Sequence, residues 1–278
     1  MQVQWYPGHM FKAKKEVQKQ LKNIDLIIEV IDSRVPISSH NEMLDEITKN
    51  KKKLIVFTKK DLVNQKELKK FEKRYHEQNY ETILVANTDI KDRKLTIKKI
   101  KTIMEEEIKK NEQKGIIKNI KVMVIGMPNV GKSSFINFLI NNKKTVVGNK
   151  PAVTKTQQWV NCDKNIDLLD TPGILIPKIE ELNRGYRLVL SNLIKDEVVE
   201  LEYVAIYLLE LLYKYYQKNL FERYKLKNID NFDVELMYNE IGKNIGAYKN
   251  NDCDYTRVTN TLINDFRKQK FGRIILDD

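Results

Sequence analysis

Three short stretches of the 278-residue sequence carry residue types suited to holding phosphate and base. The first is Gly126-Met-Pro-Asn-Val-Gly131-Lys132-Ser133. It fits G-x-x-x-x-G-K-[ST], follows a β-branched apolar run and precedes Ser134-Phe-Ile-Asn-Phe-Leu-Ile140, which opens as a helix. Its two glycines let the loop wrap closely, so that backbone N–H groups over Asn129, Val130, Gly131 and the helix start at Ser133 and Ser134 face phosphate oxygens. Lys132 then neutralises the β/γ-phosphates, and the Ser133 hydroxyl is a ligand for Mg²⁺. The second stretch, Asp170-Thr-Pro-Gly173, ends a strand further on. Its carboxylate can hold Mg²⁺ through water and the Gly173 N–H can sense a γ-phosphate. Thr154 lies between these two motifs, where a switch loop would run, and offers a second hydroxyl to the metal.

The third stretch, Thr58-Lys59-Lys60-Asp61, follows the apolar run Leu54-Ile-Val-Phe57 and has the form [NT]-K-x-D. Its aspartate can accept from guanine N1–H and the exocyclic amine while a lysine stem covers the ring. Adenine offers no such donor pair and would leave the carboxylate unpaired. Val85-Ala86-Asn87, at the end of the next run, is then the loop whose backbone covers the base. The order is unusual: the base-reading motif precedes the phosphate loop, and residues 174–278 contain no second [NT]-K-x-D. All the parts of a GTPase are present in rotated order, as in a circular permutation. An ATPase or small-molecule kinase is disfavoured by Asp61. A GTP-regulated RNA-binding module with vestigial hydrolysis is the main alternative to a hydrolase.

The opening Gln4-Trp-Tyr-Pro-Gly-His9-Met10, the stretch Ile31-Asp-Ser-Arg-Val-Pro-Ile-Ser-Ser39, the phosphate loop, Pro151-Ala-Val-Thr-Lys-Thr-Gln-Gln-Trp159 and the rotated order resemble the YlqF/RbgA family of ribosome-assembly GTPases. The resemblance is strong over residues 1–177 and weaker beyond. It implies GTP and GDP as ligands, hydrolysis of GTP to GDP and phosphate, and a large ribosomal subunit precursor as partner late in assembly. It also implies a catalytic part for His9, because Ile174 stands where many GTPases carry a water-orienting glutamine. The imidazole can equally be structural, beside Trp5. Asn129 resembles a phosphate-loop asparagine that holds K⁺. Thr58 replaces the usual Asn, a change expected to loosen guanine binding because a hydroxyl replaces an amide that tethers loops. Ala152 replaces the usual Gly before Thr154.

These motifs need elements to hold them. Apolar runs at 24–32, 54–58, 82–86, 120–126 and 166–170 read as buried strands, and lysine-rich stretches at 65–78 and 95–113 as amphipathic helices. That alternation predicts an α/β fold with a mostly parallel sheet. From Pro177 the texture turns helical, with helices expected over 184–226, 234–245 and 255–270 and a short extended tail over 272–277. The expected division is a circularly permuted GTPase domain over 1–177 and an all-α, RNA- or ribosome-contacting domain over 178–278.

Charge follows the same division. Lys and Arg outnumber Asp and Glu by 34 to 21 in residues 1–177, against 16 to 17 in the remainder, so the basic surface suited to RNA belongs to the first two thirds. Two cysteines, Cys162 and Cys253, exclude a disulfide framework and a Cys-rich metal site. The longest apolar run, Tyr203 to Tyr213, is too short to span a bilayer. A cytoplasmic protein, monomeric and without membrane attachment, is the expectation.

Overall fold

The computed structural model describes the chain apart from residues 1–2, 5–14, 16, 117, 141–157, 172–177, 180, 228–230 and 250–251. His9, Thr154, Gly173 and Ile174 therefore lie outside the described residues. Six strands form the central sheet: β2 (Leu26–Asp32), β3 (Lys52–Thr58), β4 (Glu81–Leu84), β5 (Ile120–Ile125), β6 (Gln158–Asp163) and β7 (Ile166–Asp170). Their order is β4-β3-β2-β5-β7-β6, parallel throughout except for β6, which returns antiparallel along β7. β2 is buried at every position, as a strand covered on both faces must be. The pleat sends Leu26, Ile28 and Val30 into one cluster and Ile27 and Ile31 into two others, with Ile24 beside Ile27.

The helices follow from amphipathic runs, and the first three carry side-chain caps. They are α1 (Glu42–Thr48), α2 (Gln65–Glu77), α3 (Ile90–Ile103), α4 (Glu105–Gln113) and α5 (Lys132–Ile140). Asn41, Asn64 and Asp89 each accept a backbone N–H at the start of α1, α2 and α3. The helix expected over 95–113 is instead two, because Met104 at the joint is buried in the core and leaves the helical geometry. α1 and the edge strand β6 carried too little periodicity to be expected.

Beyond residue 181 come α6 (Leu182–Leu190), α7 (Leu201–Tyr215), α8 (Gln217–Tyr224), α9 (Val234–Asn244) and α10 (Tyr255–Arg267). Their apolar faces, including Leu208, Leu212, Tyr238 and Leu262, share one continuous core with Leu26, Val56 and Val124 of the sheet. Among the described residues four two-residue strands lie outside the central sheet, in two antiparallel pairs: β1 (Val3–Gln4) with β8 (Lys178–Ile179), and β9 (Tyr248–Lys249) with β10 (Asp252–Cys253). β1 thus ties the start of the chain to the segment that follows Asp170. Cys162 and Cys253 are both buried and unbridged.

The tail after α10 is built into the sheet end of the molecule. Gly272 turns it with φ +83°, Ile274, Ile275 and Leu276 are buried, and the Leu276 N–H donates to Arg34 O at 2.8 Å. The buried Asp277 carboxylate accepts the N–H groups of Ile37 and Ser38 at 2.7 and 2.9 Å, and the Ser38 hydroxyl as well. Arg187 of α6 joins Asp277 from the other side.

Candidate active site at the crest of the sheet

Going outward from the centre, β2, β3 and β4 run one way in sequence and β5, β7 and β6 the other. The crevice at the carboxyl ends of β2 and β5 is therefore a topological switch point, the place where such sheets bind ligands. The phosphate loop leaves β5 there and the Thr58–Asp61 loop leaves β3 one strand away.

Gly126 turns the phosphate loop at φ +143°, and a Cβ on it would lie 2.4 Å from Val30 O, so only glycine fits. Asn129 takes the left-handed conformation, φ 60°, and its amide nitrogen donates to Asn192 O at 3.1 Å. Gly131 has φ +102° and leads into α5, whose first residue is Lys132. The Lys132 ammonium is buried and donates to Gly126 O at 3.2 Å and Met127 O at 2.8 Å, inside the curl of the loop. Burial pushes it down to about 8, against the opposing pull of Asp170. A phosphate arriving in the loop would supply the anion that this buried cation needs.

Ser133 Oγ donates to Asp170 Oδ2 at 3.2 Å. Asp170 Oδ1 is buried and has no hydrogen-bond partner among the described residues. Burial raises the Asp170 carboxyl, with Lys132 and Ser133 pulling the other way. A hydroxyl beside a buried carboxylate with one oxygen uncommitted is a donor set that fits a hard divalent cation.

The Thr58–Asp61 side of the crevice is held by buried polar bonds. Thr58 Oγ1 lies 2.9 Å from Ile31 O and 2.8 Å from Val130 O, so the hydroxyl joins the Thr58–Asp61 loop to both β2 and the phosphate loop. The tether that threonine in place of asparagine was expected to weaken is thus supplied by the hydroxyl itself. Lys59 adopts φ 60°, uncommon for a residue with a Cβ, and its ammonium pairs with Asp32 at 2.6 Å. Asp61 stands exposed in the short 3-10 turn Lys60–Leu62. Lys60 N–H donates to Val85 O at 3.3 Å, which brings the Val85-Ala86-Asn87 loop alongside. Lys60 itself points its ammonium at Asp92, 2.6 Å away.

Asp32 and Arg34 belong to the stretch 31–39 that closes β2. Asp32 is wholly buried at the end of β2 and accepts from Arg34 N, Nε and Nη2 as well as from Lys59. Burial alone would raise its carboxyl, but Arg34 and Lys59 hold it well below the carboxylate range. Arg34 Nη2 also donates to Ser191 O, beyond the end of α6, at 2.8 Å. Two charged residues closing an apolar run were the available signal. Asp92, inside a lysine-rich helix, gave none.

A six-stranded sheet with a phosphate loop at its switch point, and a motif of the [NT]-K-x-D form that comes earlier in the chain, defines a circularly permuted P-loop GTPase. Comparison with known proteins agrees. The family model described as "50S ribosome-binding GTPase" matches residues 121–232. The chain is 36% identical to Ribosome biogenesis GTPase A of Bacillus pumilus over 100% of this chain and 99% of that protein. It is 32% identical to Mitochondrial ribosome-associated GTPase 1 of Mus musculus over 99% and 90%. The GNP-bound crystal structure of YlqF from T. maritima superposes with TM-score 0.65 at 21% identity, covering 96% of this chain and 97% of that one, which supports the fold. The chain belongs to the ribosome biogenesis GTPase A (YlqF/RbgA) family and is a GTP-hydrolysing enzyme of ribosome biogenesis. Among the described residues no helix is long and apolar enough to cross a membrane.

Proposed function

We propose that this enzyme hydrolyses GTP as a timing switch on a precursor of the large ribosomal subunit, acting as a cytoplasmic monomer. The observation that carries the nucleotide part is the Thr58–Val130 bond, because it sets the guanine-reading loop against the phosphate loop at one crevice. In this reading Asp61 accepts from the guanine edge, the Lys59 stem covers the ring and the 85–87 loop closes the other side. Lys132 and the N–H groups over Asn129–Ser134 hold the phosphates. Ser133 and, through water, Asp170 would hold Mg²⁺, which when bound neutralises charge developing between the β- and γ-phosphates. Thr154 and Gly173 complete the phosphate-sensing side on the strength of their sequence positions. His9 orients the attacking water in place of a glutamine. For K⁺, the support is the position of Asn129 in the loop.

The ribosomal part rests on the relatives' names and on the charge. Residues 1–177 supply the electrostatic attraction to RNA, and the helical residues 178–278 supply shape and specific contacts. The test is nucleotide competition followed by turnover. GTP and GDP should bind far better than ATP, and Asp61→Asn should move the preference toward xanthine nucleotides. Turnover should be slow alone, rise with large-subunit precursors, and be faster in K⁺ than in Na⁺. His9→Ala should lower the stimulated rate about 10²-fold without affecting GTP affinity. Equal affinity for ATP and GTP would refute the base assignment. Turnover indifferent to the particle would instead favour a module in which nucleotide only sets affinity.

A further inference from the structure

Asp92 sits in the first turn of α3 with 4% of its surface exposed, and each carboxylate oxygen goes to a different loop of the site. Oδ1 accepts from Lys60 Nζ at 2.6 Å and Oδ2 from the Ala86 N–H at 2.8 Å. The turn that carries it is itself fixed. Thr96 Oγ1 donates to Asp92 O at 2.7 Å, Asp89 N–H donates to Ala86 O at 3.0 Å, and the Asp89 carboxylate caps the helix at Lys91 N–H. Lys60 immediately precedes Asp61, and Ala86 immediately precedes Asn87. One rigid carboxylate therefore spans the two loops one residue short of the atoms that would touch the base.

A buried ion pair is a poor device for stability, because desolvating both charges offsets most of their attraction. It is an effective device for fixing distance, because charge-assisted bonds are short and directional. The arrangement also narrows how the base is read. Ala86 N–H is engaged by Asp92, so the carbonyl at position 6 of guanine has to be met from the following N–H, that of Asn87. An N–H there and a carboxylate at Asp61 both match guanine, and both face like groups on adenine, a donor against the N6 amine and an acceptor against N1. The discrimination depends on how firmly the two loops keep their spacing.

We infer that Asp92 is a positioning residue for guanine specificity, its carboxylate setting the spacing between the Asp61 loop and the 85–87 loop. This rests on the reading of those two loops as the base pocket. The test measures the dissociation constants of a fluorescent GDP analogue and, by competition at millimolar concentration, of ADP, alongside the thermal midpoint of each variant. Asp92→Asn keeps the volume and removes the charge. It should weaken GDP on the order of tenfold, the weight of one charge-assisted hydrogen bond, with little change for ADP, so that the GDP-over-ADP preference falls by a similar factor. Asp92→Asn combined with Lys60→Met removes both charges of the pair, which keeps the test open should the single variant fold poorly, and should show the same narrowed preference. An unchanged preference, or equal weakening of GDP and ADP with a lowered thermal midpoint, would assign Asp92 to plain structural support and overturn the inference. A native protein without preference for GDP over ADP would remove the base pocket itself, and that is a separate result.

Discussion

Replacing Thr58 by valine tests whether the two halves of the site are stapled by a single hydroxyl. The substitution keeps the branched shape at a position with no solvent exposure and deletes only Oγ1, which lies 2.9 Å from Ile31 O and 2.8 Å from Val130 O. A hydroxyl has one proton, so one strong bond is lost at a time, but a buried carbonyl is left facing a methyl group. The expected loss is about 1–3 kcal/mol, the desolvation penalty of an orphaned buried acceptor. The way this divides is informative. If Val130 holds its place without the tether, the whole loss appears as stability. If the phosphate loop relaxes away from β3, part appears in affinity, and about 1.4 kcal/mol corresponds to tenfold in GDP binding. Other bonds still hold β3 to its neighbours, including Ser33 N–H to Thr58 O at 3.0 Å, so most of the loss should be in stability, with GDP affinity falling by about three- to tenfold. Urea denaturation without nucleotide gives the first quantity and titration of a fluorescent GDP analogue the second. Thr58→Ser should restore both. A valine variant with native stability and native affinity would refute the tether.

Two further outcomes follow from the geometry. Gly126→Ala should reduce GTP binding at least tenfold, because its Cβ would meet Val30 O at 2.4 Å and φ +143° strains any other residue by about 1–3 kcal/mol, readable by titration and thermal melting together. His40 lies between the Glu29 and Asp45 carboxylates at 3.0 and 2.7 Å, with Lys53 on both acids and Tyr75 and Tyr80 edge-on. Burial lowers its pKa, but Glu29 and Asp45 outweigh burial and push it up to about 10. Its contribution to stability is therefore full below its ordinary value of about 6.5 and is lost as pH rises through about 10. The stability difference between the native protein and His40→Gln should shrink across that window in urea titrations, and a difference constant with pH would refute the assignment.

The strands and the phosphate loop were legible in the sequence because both are local: a β-branched run, then glycines and a lysine at fixed spacing. Thr58–Asp61 was legible only through its relation to the loop that follows it 65 residues on. What holds that motif in place was not legible. Asp32, Arg34 and Asp92 look like scattered surface charges until the sheet order brings β2, β3 and the start of α3 together. Glu29 in the middle of a buried strand contradicts the apolar pattern, and it is accommodated because His40 and Lys53 arrive from a loop and from the next strand. The tail showed only as a short extended run, because its partners, Arg34, Ile37 and Ser38, lie more than two hundred residues earlier. The break at Met104 likewise depends on a tertiary contact, its burial in the shared core.

The rotated strand order also sets a course for folding. β2, β3 and β4 with α1, α2 and α3 form a contiguous stretch whose parallel pairings are each closed over a single helical crossover, α1 between β2 and β3 and α2 between β3 and β4, whereas β5 joins it by laying Val122–Ile125 along Leu26–Glu29. On a growing chain the half that carries Thr58–Asp61 is thus complete before the half with the phosphate loop has been made. Until β5 arrives, the half-sheet ends in the bare edge of β2, an apolar ladder of the kind that recruits foreign strands. In a GTPase of ordinary order the phosphate loop comes first and waits for its base reader. Here the waiting partner is the open edge of β2, and mutations that slow the docking of β5 should show first as aggregation during synthesis, ahead of any defect in the finished enzyme.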